Sequence, residues 1–124
     1  MATTKKTKAA LSKELARTVA QAAYDIKGED ITVMDLSKLS DFTDFFIIVT
    51  GRSDRQVQAI CSNIEDVLAK KKIRPISIEG YQKGHWVLID YGSVVAHIFY
   101  EEVRSFYALE KLWSDAPRVK FRLT

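Results

Sequence analysis

The chain has 124 residues, 47% of them apolar, and its 19 basic and 16 acidic side chains leave a net charge of +3. That is the length of one domain with material for a core, which excludes disorder beyond the ends. The single cysteine, Cys61, excludes an internal disulfide and points to a reducing compartment. No apolar run approaches the ~20 residues needed to cross a bilayer.

Met1-Ala2-Thr3-Thr4-Lys5-Lys6 is basic but no apolar segment follows, so it is not a secretory signal and a cytoplasmic protein is expected. Residues 1–8 read as a flexible basic N-terminus. Leu11, Leu15, Val19, Ala22, Ala23 and Ile26 then recur at helical spacing, which predicts an amphipathic helix from about residue 9, capped by Gly28. Ile31 to Leu36 alternates as a strand. Asp44 to Thr50 is a nearly continuous apolar, β-branched run, as a central strand covered on both faces requires.

Ser53 and Gln56 have the spacing of a capping box and open a second helix, with Val57, Ile60, Ile64, Val67 and Leu68 as its buried stripe. Lys70 to Lys72 complement the negative end of its dipole, and Pro75 cannot continue it. Strands are predicted at Ile76–Glu79, His85–Tyr91 and Val94–Tyr100, then a third helix over Glu102–Trp113. The fold class is α/β (mixed α+β): one domain over 9–116, a mixed sheet of about five strands flanked by helices. Residues 117–124 are expected to form a loose tail.

The most informative segment runs from His85 to Phe99, two strands joined by a tight turn around Gly92. A two-residue turn, whether Tyr91-Gly92 or Gly92-Ser93, places Val87, Ile89, Val94, Ala96 and Ile98 on one face, all apolar and of core size. The other face carries Trp86, Leu88, Asp90, Val95, His97 and Phe99. Either a helix covers it, with His97 and Asp90 paired and buried, or it is partly open and docks a partner, for which Trp and His among aliphatics make good anchors.

At this point several spaced motifs resemble one family. Asp44-Phe45-Phe46-Ile47-Ile48-Val49-Thr50-Gly51, followed by Ser53 and Gln56-Val57, is similar to the central strand and helix start of the ribosomal silencing factors, or Iojap-related proteins. Trp86-Val87-Leu88-Ile89-Asp90-Tyr91-Gly92 resembles their hairpin signature. His97-Ile98-Phe99, Glu102, Arg104, Tyr107, Leu109-Glu110 and Leu112-Trp113 resemble their C-terminal one.

The resemblance implies binding to large-subunit ribosomal protein fourteen, a block to subunit joining, and lower translation when nutrients are scarce. It also implies a partner-binding set of Trp86, Leu88, Asp90, His97, Phe99, Glu102 and Arg104, with Gly92 serving the turn. A homodimer hiding Trp86 in free solution is a further expectation. The short N-terminus favours a bacterial protein over an organellar one.

The family's fold is similar to that of nucleotidyltransferases, so catalysis has to be weighed. Gly51-Arg52-Ser53 stands where those enzymes carry a Gly-Ser pair. The paired carboxylates that would hold magnesium are missing, since Glu79 and Asp90 each stand alone and Asp35 lies upstream. Asp54 in the first helical turn repels a phosphate. Cys61 beside Ile60 reads as a buried thiol, and the two histidines and one cysteine match no zinc pattern. No enzyme, metal or cofactor is expected. The rival reading is a general RNA-binding or ribosome-assembly factor working through its basic ends: Lys5, Lys6 and Lys8, Lys70–Lys72 with Arg74, and Arg118, Lys120 and Arg122. In either case a weak contact with ribosomal RNA phosphates is expected.

Overall fold

A computed structural model describes residues 7–101 and 109–124. Two long helices and six strands account for most of it: α1 (Lys8–Asp25), β1 (Glu29–Asp35), β2 (Phe45–Gly51), α2 (Asp54–Lys70), β3 (Ser77–Glu79), β4 (Trp86–Asp90), β5 (Val94–Tyr100), a single helical turn α3 (Leu109–Leu112), and β6 (Arg118–Val119).

Both helices start and stop for local reasons. Thr7 caps α1 by accepting from the Ala10 amide, and Ser53 caps α2 by accepting from Gln56 N–H at 3.1 Å. Each helix ends on the same device. Lys27 and Lys72 adopt left-handed backbone (φ 61° and 63°), and the next residue's amide, Gly28 or Ile73, returns to the carbonyl of Ala23 or Leu68 at 2.9 Å. Gly28 is therefore not itself the left-handed residue. It is glycine because an added Cβ would lie 2.6 Å from Val49 Cγ1 and 2.8 Å from the Ala23 carbonyl oxygen, where the chain passes directly against the sheet. Gln56 joins the start of α2 to the end of α1: its Nε2 donates to the carbonyls of Ile26 and Lys27.

The strands form one mixed sheet in the order β3-β4-β5-β2-β1-β6. Among the described residues only β2 and β5 run parallel, with α2 in the long connection between them, and the other pairs are antiparallel. α1 and α2 pack on the same face. Ala16, Val19, Ala20 and Ala23 of α1, and Val57, Ile60, Ile64 and Leu68 of α2, are fully buried against Ile47, Val49, Val87, Ile89, Ala96 and Ile98. Alanines on α1 let that helix approach the sheet closely.

Leu11, expected on the buried stripe of α1, is instead 53% exposed. It lines a cleft of about 580 Å³ with Ser12, Leu15, Phe42, Asp44 and Ile73.

The loose tail expected over 117–124 is not what the structure has. Arg118 and Val119 pair with Met34 and Val33 as the sixth strand, and Val119, Phe121 and Leu123 pack on the helix-covered core while Arg118, Lys120 and Arg122 point outward. An edge of β1 that would otherwise be unpaired supplies the partner. At the other end, the expected flexible segment stops short of Thr7 and Lys8, which belong to α1; Lys5 and Lys6 lie outside the described residues. Among the described residues no helix is long and apolar enough to cross a membrane.

Candidate functional site

The turn between β4 and β5 is Gly92-Ser93, with Gly92 at φ 86° and Tyr91 N–H donating to the Val94 carbonyl at 2.9 Å. The register then pairs Trp86 with Phe99, Leu88 with His97 and Asp90 with Val95, so these six side chains share the sheet face opposite the helices. From β3, Glu79 pairs with Leu88 and Ser77 with Asp90, and from β2, Phe46 pairs with Val95, extending the same face on both sides.

This face divides in two. Toward β1 it is closed: Met34, Leu36, Ile48, Phe99 and Ala116 form a second buried cluster, with Phe46, Trp86 and Trp113 packed against it. Toward β3 it is open: Leu88, Asp90 and Val95 are half-exposed, and Ser77 and Glu79 are exposed. Trp86 sits on the boundary, half-buried. The expected site residues therefore fall into different roles. Phe99 is fully buried and His97 is only 4% exposed, so neither is presented to a partner; that expectation is corrected, because β2 and β1 bring Ile48 and Met34 alongside them. Trp86, Leu88 and Asp90 remain on the accessible part. Glu102 and Arg104 lie outside the described residues.

Nor do His97 and Asp90 pair. Asp90 Oδ1 accepts from the Gly92 amide at 2.7 Å and so fixes the turn. His97 Nδ1 accepts from the Trp86 indole Nε1–H at 3.1 Å. An indole can only donate, so Nδ1 is unprotonated and the neutral ring carries its proton on Nε2. That Nε2 is buried and finds no hydrogen-bond partner among the described residues. Burial lowers the His97 pKa to about 4, so the ring stays neutral at physiological pH.

Aromatic rings complete the environment. Trp86 stacks on Phe99 with centroids 5.1 Å apart, and Phe46 meets His97 edge-on at 4.6 Å and Trp113 at 6.3 Å. Sequence reasoning passed over Phe46 and Glu79 as members of this surface, and left Val95 out of the partner-binding set. Val95 was on the correct face by parity, and Phe46 follows from the alternation with Phe45 and Ile47. Glu79 depends on the β3–β4 register, which no local pattern encodes.

The helix start that would stand in for a phosphate site is occupied by its own chain. Ser53 Oγ takes Gln56 N–H, Asp54 Oδ1 takes Arg55 N–H, and Gln56 Oε1 takes Arg52 N–H at 2.7 Å. Gly51 is glycine because a Cβ there would lie 2.7 Å from Val57 Cγ2, so it packs α2 on the sheet. No group of three or more His, Cys, Asp or Glu is placed to hold a metal ion among the described residues.

Comparison with known proteins is consistent across sequence and fold. The family model described as ribosomal silencing factor during starvation matches residues 9–124, which includes the docked tail. A ribosomal silencing factor of Bacillus subtilis is 43% identical over 105 residues, 85% of this chain and 89% of that one. The chloroplastic protein Iojap of Zea mays is 36% identical, over 82% of this chain but 44% of its own length. A crystal structure from Chromobacterium violaceum superposes with a TM-score of 0.81 at 35% identity, covering 90% of this chain and 92% of the other. The chain belongs to the ribosomal silencing factor family.

Proposed function

We propose that this chain, in the cytoplasm, binds the large ribosomal subunit through ribosomal protein fourteen, keeps the small subunit from joining, and so lowers translation when nutrients are limiting. The observation that carries the reading is the asymmetry of the sheet. Both long helices cover one face, while the other leaves Trp86, Leu88, Asp90 and Val95 half-exposed on rigid, paired strands. A half-buried tryptophan beside aliphatics, on a surface that has little freedom to lose, suits an interface anchor. The mechanism is steric, and no bond is made or broken. Glu102 and Arg104 are proposed to supply charge complementarity at the rim. In free solution a homodimer would hide Trp86 and open before docking; sedimentation as a monomer at high micromolar concentration would remove that part.

A second reading rests on the exposed cations. Lys70, Lys71, Lys72 and Arg74 cluster at the end of α2, and Arg118, Lys120 and Arg122 all face outward, a surface suited to RNA phosphates.

Co-sedimentation with isolated large and small subunits tests both. Trp86→Ala is expected to weaken large-subunit binding roughly thirtyfold, corresponding to about 2 kcal/mol, as for an anchor. Lys71→Ala should act mainly on salt dependence. Equal binding to both subunits, or a greater loss with Lys71→Ala than with Trp86→Ala, would favour RNA binding instead.

A further inference from the structure

On the reading that the hairpin face docks, we infer that His97 is a positioning residue: its Nδ1 holds the Trp86 indole in the orientation that the partner meets. The β4–β5 register makes this geometry available. Trp86 pairs with Phe99 and Leu88 with His97, so Trp86 and His97 are diagonal neighbours on one face, within reach of a side-chain hydrogen bond. The 3.1 Å bond from Nε1 to Nδ1 and the stack on Phe99 both hold the indole. His97 is in turn held by the edge of Phe46 at 4.6 Å and by the parallel Phe99 ring at 6.3 Å. An anchor whose rotamer is fixed before binding gives up less conformational freedom when it docks.

The burial of His97 argues against a merely space-filling role. Its Nε2–H is buried with no acceptor among the described residues, an expense that leucine or phenylalanine at this position would avoid. What the imidazole supplies, and those side chains cannot, is an acceptor for the indole. Because burial keeps the ring neutral, that acceptor is present throughout the physiological range.

The test uses the full chain and two substitutions. His97→Asn keeps an acceptor oxygen near the place of Nδ1, and His97→Leu removes it. The first readout is the Trp86 indole N–H by NMR, assigned with Trp86→Phe: its solvent exchange and its scalar coupling to His97 Nδ1 across the hydrogen bond. The second is co-sedimentation with isolated large subunits. In the wild type the indole proton should exchange slowly and show the coupling. His97→Leu should speed exchange and weaken binding about tenfold, and His97→Asn should restore both. Unchanged indole exchange in His97→Leu would overturn the positioning role. So would faster exchange with unchanged binding, where Trp86→Ala does weaken binding. If instead Trp86→Ala binds as well as wild type, the docking reading itself fails, and this role fails with it.

Discussion

Gln21 on α1 meets the last residue of the chain twice: its Nε2 donates to a Thr124 main-chain oxygen at 3.1 Å, and its Oε1 accepts from the Thr124 amide at 3.3 Å. One turn away, the Arg17 guanidinium lies 5.0 Å from the centre of the Phe121 ring. These contacts tie the tail to α1 while β6 ties it to β1. Removing residues 118–124 would expose the apolar surface that Val119, Phe121 and Leu123 cover. At half-burial each contributes about 1 kcal/mol, so truncation after Pro117 should cost roughly 2–3 kcal/mol and lower the thermal midpoint by several degrees. A truncated chain that melts with the full one would show that the tail adds nothing to the fold.

The tail also shows what a sequence hides and why. Val119, Phe121 and Leu123 alternate with Arg118, Lys120 and Arg122, a strand's period of two. Three cations after Pro117 outweighed that signal, because the edge receiving the segment belongs to β1, more than eighty residues earlier. Local periodicity revealed what depends on neighbours in sequence: the stripe of α2, the capping serine, β2, and the parity that put Val87, Ile89, Ala96 and Ile98 in the core. It could not reveal the strand order. Phe99 reads as a surface anchor because the hairpin parity puts it on the face of Trp86. It is buried because β2 inserts beside β5, with β1 beyond it, and these strands bring Ile48 and Met34 to the same cluster.

That difference separates stability from binding. Phe99→Ala empties a fully buried site and should cost about 3–5 kcal/mol in denaturant unfolding. Leu88, half-exposed on the open part of the face, should cost about 1 kcal/mol as Leu88→Ala and should lose large-subunit binding out of proportion to that. Equal losses of stability would mean that the two halves of the face are not packed differently.

Two lysines occupy backbone positions that favour glycine. Lys27 at φ 61° and Lys72 at φ 63° each carry a Cβ in the left-handed region, at a cost of about 1–2 kcal/mol. Replacing either with glycine relieves that strain but gives the unfolded chain more freedom, so the expected net gain is about 0.5–1 kcal/mol for each. The two sites follow the C-terminal ends of different helices and share no partner, so the gains should add. Urea midpoints of Lys27→Gly, Lys72→Gly and the double variant measure this; a loss in either single variant would contradict the strain argument.

Cys61 should be inert in the folded protein. Burial first, then the nearby Glu65 carboxylate, pushes its thiol up to about 12, so very little thiolate exists at pH 8. Alkylation by iodoacetamide should be slow in native buffer and complete within minutes in denaturant. Cys61→Ser should leave the chain folded but less stable, since a hydroxyl would replace a thiol among Val57, Ile60 and Ile64. Rapid native labelling would mean that α2 opens from the sheet far more often than a buried stripe allows.

His97 gives the protein a defined acid sensitivity. Its pKa lies at the ordinary 6.5 when the chain is unfolded and is lowered to about 4 by burial when folded. Between those values the unfolded chain binds more protons than the folded one, so stability rises with pH across that window. Its stabilising effect is therefore fully present above pH 6.5, is lost progressively as the pH falls toward 4, and changes no further below that. The whole shift is worth about 3 kcal/mol, an upper figure for a single site. Protonation would also place a hydrogen on Nδ1, where the Trp86 indole already donates, so the acid form cannot keep that bond. Urea midpoints at pH 7, 6, 5 and 4.5 should fall in step, and the same series in His97→Asn should be flatter by the histidine's share. If both series fall equally, the acid sensitivity belongs to other groups and His97 titrates alike in the folded and unfolded chain.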